Sequence, residues 1–146
     1  MKTKFRAWDK YLKEMFHNVN PIFDADGNLD FIIYEYGNTG HDMIEIDVKK
    51  WDSSMLYHYD EGIPVELMQY TGLKDSNGVD IYEGDVVMAA FHTGKTTPCK
   101  VVYNSLHARF EYVVLEIPIF TYSVSEVEEV AIIGNIHENS ELLEGE

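Results

Sequence analysis

One segment, residues 67–87, constrains what this chain can fold into more than any other stretch. Its first half shows the two-residue alternation of a half-buried β-strand. The pair Asn77-Gly78 follows and predicts a type I′ turn, because both residue types tolerate positive φ. Glu83-Gly84-Asp85 predicts a second tight turn, which leads into the apolar run Val86–Ala90. The segment therefore predicts a β-hairpin followed by a further strand.

Short apolar runs separated by turn residues recur along the whole chain. This spacing predicts an all-β fold of mostly antiparallel strands, arranged as a curled sheet or a small barrel rather than as βαβ units. Helix content is expected to be small. The sequence predicts a short C-terminal helix over Ser140–Glu144, and one or two helical turns are possible within Ile46–Met55.

Two further motifs accompany the central segment: FRAWD at Phe5–Asp9 and IIGNIHENSELLE at Ile132–Glu144. Together the three resemble the signature of the YopX family, proteins of bacteriophages and of prophages in Gram-positive bacteria. The resemblance spans nearly the full chain. It implies an all-β fold of coiled, branching sheets and a phage or prophage origin, but no established activity. The residues that carry it are interpreted as structural: Arg6, Trp8, Asp9, Gln69, Tyr70, Thr71, Gly72, Asp75, Gly78, Gly84, Asp85, Gly134 and Asn135.

Arg6 is one of two arginines in the chain, and it lies between Phe5 and Trp8 on a predicted strand. A guanidinium donates to carboxylates in a planar fork, which suits a structural ion pair. We expect Arg6 to pair with a buried or half-buried carboxylate, with Asp85 as the first choice and Asp9 as the alternative.

The chain has 146 residues, of which 45% are hydrophobic, and this is enough to bury a core. We expect one domain over residues 1–146, with N-terminal (1–65) and C-terminal (66–146) subdomains sharing one sheet as an alternative. No apolar run approaches the roughly 20 residues that cross a membrane, and the N-terminus lacks the apolar stretch of a signal peptide. The single cysteine, Cys99, suits a reducing compartment. These features favour the cytoplasm and argue against a membrane partner, and the family resemblance implies that the cytoplasm is that of a bacterial host.

Charge is distributed unevenly along the chain. The formal net charge is −15, yet residues 1–13 hold five Lys and Arg against one Asp, whereas residues 111–146 hold nine Glu and no Lys or Arg. A chain of this charge repels phosphate backbones, so we expect no direct binding to nucleic acid. The acidity has two explanations. It provides a solvated, soluble face, or it mimics DNA and so occupies a host nucleic-acid-binding protein.

One acidic loop partly matches a calcium-binding pattern. Asp24, Asp26 and Asn28 fall at positions one, three and five of an EF-hand loop, and Glu35 falls at position twelve. Position six requires glycine for its sharp turn but holds Leu29. The sequence therefore predicts a hairpin loop whose Asp and Asn side chains bind their own backbone.

Other patterns that could carry chemistry also fail on spacing or context. Residues 93–97 (TGKTT) resemble the end of a phosphate-binding loop but continue into Pro98 and a strand, so a hairpin loop is predicted. Cys99 has no neighbouring base that would activate it as a nucleophile. The six histidines are dispersed, without the spacing of a metal site. We therefore predict no catalytic residues, no metal and no cofactor.

Aromatic residues are abundant, with 10 Tyr, 7 Phe and 2 Trp. Most are expected to pack as cross-strand pairs, and others could form a protein-binding surface. The leading hypothesis is a non-enzymatic protein-interaction or assembly module that self-associates through an apolar strand surface. In another mode of self-association, the basic N-terminus of one copy lies against the acidic face of the next. The alternative functions are an acidic DNA mimic and a small enzyme whose site is assembled only in the fold.

Overall fold

The computed structural model describes residues 3–36, 42–47, 64–116 and 119–143. Within these ranges the chain is all-β, with eleven antiparallel strands and two short 3₁₀ turns, Val124–Glu126 and Ser140–Leu143. Among the same residues, no helix is both long enough and apolar enough to cross a membrane. The chain divides into two compact units, Lys2–Gln69 and Tyr70–Glu146.

The N-terminal unit is an antiparallel sheet with the strand order β4-β3-β2-β1-β5. Its core is formed by Ala7, Val19 and Ile32, which are buried on one side of the sheet because alternate strand residues share a face. Strand β5 continues into the C-terminal unit. The strand bounds are β1 Phe5–Asp9, β2 Glu14–Phe23, β3 Leu29–Tyr36, β4 Asp42–Asp47 and β5 Val65–Lys74.

The acidic loop between β2 and β3 is a hairpin, as predicted. The Asp24 carboxylate accepts hydrogen bonds from the backbone N–H groups of Asp26 and Asn28, both at 2.9 Å. The Asp24 N–H donates to the Asn28 carbonyl at 2.8 Å, and the Gly27 N–H donates to the Asp24 carbonyl at 3.0 Å. The carboxylate of this loop thus binds the loop's own backbone.

The C-terminal unit contains a five-stranded antiparallel sheet with the strand order β10-β9-β8-β7-β11. One face of this sheet carries the larger of the two described core clusters, in which Val87, Cys99 and Tyr112 are buried. The short strand β6 pairs with the second half of β5. The strand bounds are β6 Asp80–Tyr82, β7 Asp85–Ala90, β8 Thr96–Asn104, β9 Arg109–Val114, β10 Thr121–Ser123 and β11 Glu129–Asn135.

The turn between β5 and β6 differs from the predicted type I′ turn. Gly78 has a φ of 81°, but Asn77 does not adopt positive φ. The Asp75 N–H donates to the Val79 carbonyl at 2.8 Å, and the Gly78 N–H donates to the Asp75 carbonyl at 3.0 Å. This pattern matches a longer loop, in which a right-handed turn is followed by one left-handed glycine. The type I′ prediction was wrong because it ignored the Asp75 side chain, whose carboxylate binds the Asn77 N–H at 2.9 Å.

Two other expectations about the fold require correction. The predicted C-terminal helix is a 3₁₀ turn of four residues, Ser140–Leu143, because so short a segment cannot nucleate a stable α-helix. The sheet is not a closed barrel, since β10 and β11 are its two outer strands. The sequence also allows helical turns within Ile46–Met55. Residues 46 and 47 belong to strand β4, and the other residues of that range lie outside the described ranges.

Candidate protein-binding surfaces

The outer side of β11 is covered by the turn that joins β5 to β6. The Ser76 N–H donates to the Val130 carbonyl at 2.9 Å, and the Asp75 carboxylate accepts a hydrogen bond from the Ile132 N–H at 3.0 Å. The other carboxylate oxygen of Asp75 accepts from Asn77 and Val79, both at 2.9 Å. Asp75 is only 7% exposed. The Asp75 carboxylate therefore binds the backbone of its own turn and also a backbone N–H of β11, which is far away in sequence.

These hydrogen bonds favour the ionised form of Asp75. The backbone N–H of Ile132 contributes most and that of Val79 next, and together they lower the pKa of the carboxyl from its ordinary value of 3.8 despite its burial. A carboxylate whose pKa is lowered by folding stabilises the protein above its unfolded pKa. That contribution is lost as the pH falls through the folded pKa.

The end of β11 is held by the C-terminal motif. The Asn135 side chain accepts hydrogen bonds from the N–H groups of His137 at 3.0 Å and Glu138 at 2.8 Å. The Asn135 N–H donates to the side chain of Asn139 at 3.2 Å. A Cβ atom at Gly134 would lie 2.6 Å from the Asn139 side-chain oxygen. Glycine at position 134 thus allows the last turn of the chain to pack on β11.

The opposite edge of the sheet, β10, has a different environment. This strand has three residues and pairs with β9, and no other described strand pairs with its outer side. The ring of Tyr122 on β10 packs 4.8 Å from Phe91 and 6.4 Å from Phe120, measured between centroids. Phe120 is 55% exposed. Among the described strands, β10 therefore ends the sheet, next to exposed aromatic side chains.

A groove of about 390 Å³ lies against these aromatic residues. We call it the aromatic groove and define it by Phe91, Phe120 and Tyr122, with Lys95 and Glu116 also lining it. Its size and its mixture of apolar and polar walls fall within the range of binding clefts. Lys95 and the threonines near it come from the TGKTT stretch. Thr93–Lys95 lie in the hairpin loop between β7 and β8, as predicted, but Thr96 and Thr97 already belong to β8.

A second groove, of about 300 Å³, lies beside the 3₁₀ turn that precedes β11. We call it the acid-rimmed groove. Its floor is apolar and includes Ile81, Val127 and Val130, while Glu128 and Glu129 lie on its rim. Lys74, which also lines this groove, is paired with Asp80 at 2.9 Å, and Glu128 lies 3.5 Å from His92 Nδ1.

The residues of the FRAWD motif lie on strand β1 of the N-terminal unit. Arg6, Trp8 and Asp9 are all buried, so the Arg6 side chain does not extend into solvent. Its pairing with Asp85 or Asp9 stays a prediction. The Asp9 carboxylate accepts hydrogen bonds from the N–H groups of Tyr11 at 2.8 Å and Leu12 at 3.0 Å. Gln69, the last residue of this unit, pairs with Phe5 in the sheet.

The central motif residues hold the backbone of strands β5 to β7. The Thr71 hydroxyl donates to the Ile81 carbonyl at 2.8 Å, next to Gly72, whose φ is 89°. The Asp85 carboxylate accepts from the Tyr82 N–H at 2.8 Å, across a turn in which Gly84 has a φ of 88°. Glycine suits both positions because it adopts positive φ without a steric cost. Tyr70 is buried, and its ring lies 5.7 Å from that of Tyr82.

Sequence reasoning missed a polar cluster on the other face of the C-terminal sheet. Glu111 on β9 is almost fully buried, and its two carboxylate oxygens accept from Asn104 at 2.6 Å and from Arg109 at 2.8 Å. The hydrogen bond from Asn104, followed by that from Arg109, lowers the pKa of Glu111. The available signal was the alternation of Arg109, Glu111 and Val113 along one strand face.

The described residues that could act as a nucleophile or as metal ligands include Cys99 and the His, Asp and Glu side chains. Cys99 is fully buried, and burial raises the pKa of its thiol to about 11. A thiol of this pKa supplies almost no thiolate at neutral pH. Within the described ranges, no group of three His, Cys, Asp or Glu side chains is placed to hold a metal ion. His41 and His58 lie outside those ranges.

Comparison with known proteins identifies relatives over almost the whole chain. The sequence profile of the family described as YopX protein matches residues 4–144. The solved structure of protein EF1440 from Enterococcus faecalis is 34% identical, with a TM-score of 0.63 over 98% of this chain and 99% of that one. Protein yopX from Bacillus subtilis is 22% identical, with a TM-score of 0.60 over the same shares of the two chains. No curated protein matches the sequence.

Proposed function

The chain belongs to the YopX family, and from this premise we propose that it is a non-enzymatic protein-interaction module of phage or prophage origin that works in the cytoplasm of a bacterial host. Its partner is another protein, which supplies an extended segment. The open edge of β10 beside the aromatic groove is the single observation that carries this proposal.

The proposed contact is the addition of a strand to the sheet. An extended peptide can bind the main chain of an exposed sheet edge, while pockets beside the edge select its side chains. Strand β10 offers such an edge at Thr121, because the Ser123 N–H is already bound by Glu126, and the aromatic groove lies next to it. An aliphatic or aromatic side chain of the partner would pack against Phe120 and Tyr122. Aromatic residues of this kind dominate the energy of many protein interfaces.

Several polar groups that could support other functions are engaged in structure. The carboxylates of Asp75 and Glu111 have both oxygens bound to neighbouring donors, and Cys99 is buried with a raised pKa. Glu126 accepts a hydrogen bond from the Ser123 N–H at 2.7 Å. These contacts favour a binding role over an enzymatic one. They also make these acids poor imitations of solvent-exposed phosphates.

A capture experiment with two matched variants tests this proposal. Phe120→Ser removes an aromatic side chain of the groove, and Tyr103→Ser removes one of similar exposure, 45% against 55%, from strand β8. Immobilised wild-type protein and both variants are incubated with extract from host cells, and any captured protein is identified and purified. Its affinity is then measured with all three forms.

We expect the purified partner to bind wild type and Tyr103→Ser equally, and to bind Phe120→Ser at least about tenfold more weakly. Equal binding to all three forms would place the interaction elsewhere and contradict the proposed surface. Capture of nothing that binds in a purified system would contradict the function itself.

A further inference from the structure

The turn between β1 and β2 presents two apolar side chains on a hydrogen-bonded support. Tyr11 and Leu12 are each 47% exposed. Their N–H groups are bound by the Asp9 carboxylate at 2.8 and 3.0 Å, and the Lys13 N–H donates to the Asp9 carbonyl at 2.9 Å. The preceding Lys10 N–H donates to the Pro64 carbonyl at 2.9 Å. We call residues 10–13 the hairpin tip.

The hairpin tip combines apolar surface with positive charge. Lys10 and Lys13 flank Tyr11 and Leu12, and the first 13 residues hold five of the eleven Lys and Arg residues of a chain whose net charge is −15. Because its backbone is already ordered by hydrogen bonds, the tip loses little conformational entropy when it binds. A basic, apolar tip fits an acidic surface that has an apolar floor.

The acid-rimmed groove has these complementary properties. Its floor is formed by aliphatic side chains, including Ile81, Val127 and Val130, and Leu73 beside them is 37% exposed. Glu128 and Glu129 contribute negative charge at the rim. Its volume of about 300 Å³ is at the lower end of sites that receive a ligand group, which suits insertion of a side chain rather than of a whole segment.

We propose that the chain self-associates head to tail, with the hairpin tip of one copy bound in the acid-rimmed groove of a second copy. Leu12 contacts the apolar floor, and Lys10 and Lys13 lie near Glu128 and Glu129. The inference rests on the proposed role as an interaction module, but it uses a different surface from the aromatic groove. A heterologous contact of this type leaves a free tip and a free groove at the two ends, so it closes into a ring or continues as a filament.

Two double variants, compared with one control variant, test the hairpin tip and the acid-rimmed groove separately. The tip variant combines Leu12→Ser with Lys13→Glu, and the groove variant combines Glu128→Lys with Glu129→Lys. Leu106→Ser is the control, because Leu106 is 86% exposed in the turn between β8 and β9, away from both surfaces in sequence. Sedimentation velocity is measured for each protein at about 50 mM and about 500 mM salt, which differ several-fold in screening length.

We expect wild type and Leu106→Ser to self-associate at tens of micromolar in low salt, and to do so about tenfold more weakly in high salt. Each double variant alone should remain monomeric. An equimolar mixture of the two should form a dimer and nothing larger, because each supplies the half that the other lacks. Such a dimer would also demonstrate that both variants are folded.

Monomeric wild type in low salt would overturn the inference, as would a mixture of folded variants that stays monomeric. Thermal melting checks that each variant is folded. If the tip variant melts early, Lys10→Gln with Lys13→Gln removes the charges and leaves Leu12 in place, and it should weaken assembly in low salt alone. If the wild type does not self-associate but its partner binding still depends on Phe120, only this inference is overturned. If the wild type self-associates through the tip and groove but shows no Phe120-dependent partner binding, only the proposed function is overturned.

Discussion

The two edge strands of the C-terminal sheet, β11 and β10, have different surroundings. Strand β11 has seven residues, and its outer side is bound by Asp75 and Ser76 of a distant turn. Strand β10 has three residues, lies beside exposed aromatic side chains, and has no described strand on its outer side. An exposed strand edge is a template for unwanted pairing, and proteins cover such edges or keep them short. The covered edge therefore helps to maintain the fold, whereas the short edge at β10 is the one on which the proposed binding role rests.

The largest expected effect is on the covered edge. Asp75→Ala leaves three backbone N–H groups without their acceptor, those of Asn77, Val79 and Ile132. We expect the melting temperature to fall by roughly 10 °C. Asp24→Ala is the matched control, because Asp24 makes the same two bonds within its own turn but is exposed. It should lower the melting temperature by only roughly 3–5 °C. Equal decreases in melting temperature for the two variants would contradict the stabilising contact between Asp75 and β11.

Acid should weaken the contact between Asp75 and β11 by protonating the Asp75 carboxylate. Folding lowers the pKa of Asp75 below 3.8, so its contribution is complete above that value and is lost as the pH falls through the folded pKa. The wild type should therefore lose stability as the pH falls below 3.8 toward the folded pKa. Asp75→Asn should start lower at neutral pH and lose less over that range. Some loss remains in the variant, because the pKa of Glu111 is also lowered.

Gly134→Ala tests the end of the covered strand. The added Cβ would lie 2.6 Å from the Asn139 side-chain oxygen and 2.9 Å from Leu142 Cδ1. We expect a loss of about 1–3 kcal/mol in the free energy of unfolding, measured with denaturant. Asn139→Ala in the same chain should recover part of the loss by removing the clashing group. Purely additive losses in the double variant would show that the last turn does not pack on Gly134.

Gly78→Val tests the turn that carries Asp75. Its φ of 81° is strained for valine, and a Cβ there would meet open space, so we expect a loss of over about 1 kcal/mol from backbone strain. Gly27→Val is the matched control, with a φ of 85° and equally open surroundings. A larger loss of unfolding free energy for Gly78→Val than for Gly27→Val would report the weakened contacts of Asp75 and Ser76 with β11. An unchanged melting temperature would argue against the hairpin geometry.

The smallest effect on stability is expected at the open edge. Phe120→Ser changes a side chain that is more than half exposed, so the free energy of unfolding should stay within about 0.5 kcal/mol of wild type. Chemical denaturation of the two proteins provides the measurement. A loss of several kcal/mol would mean that Phe120 belongs to the core, and the contrast between the two edges would disappear.

Much of the fold could be predicted because its signals are local. The alternation of residues 67–72 and the turn residues around Asp24 and Gly78 correctly predicted strands and hairpins. The side chains involved lie within four positions of the backbone groups that they bind. The turn type was wrong because loop length depended on one such side chain, Asp75. The C-terminal helix was wrong because four residues are too few to nucleate one.

The sequence by itself determined the family, the strand content, the turn positions and the uneven distribution of charge. Tertiary structure alone decided that the β5–β6 turn covers β11 and that no other described strand pairs with the outer side of β10. The bond from Ile132 to Asp75 joins residues 57 positions apart, and the aromatic groove joins Phe91, which follows β7, with Tyr122 on β10. Such contacts depend on the order and register of the strands. Period-two alternation assigns a residue to a face of its strand, but it does not specify the neighbouring strand.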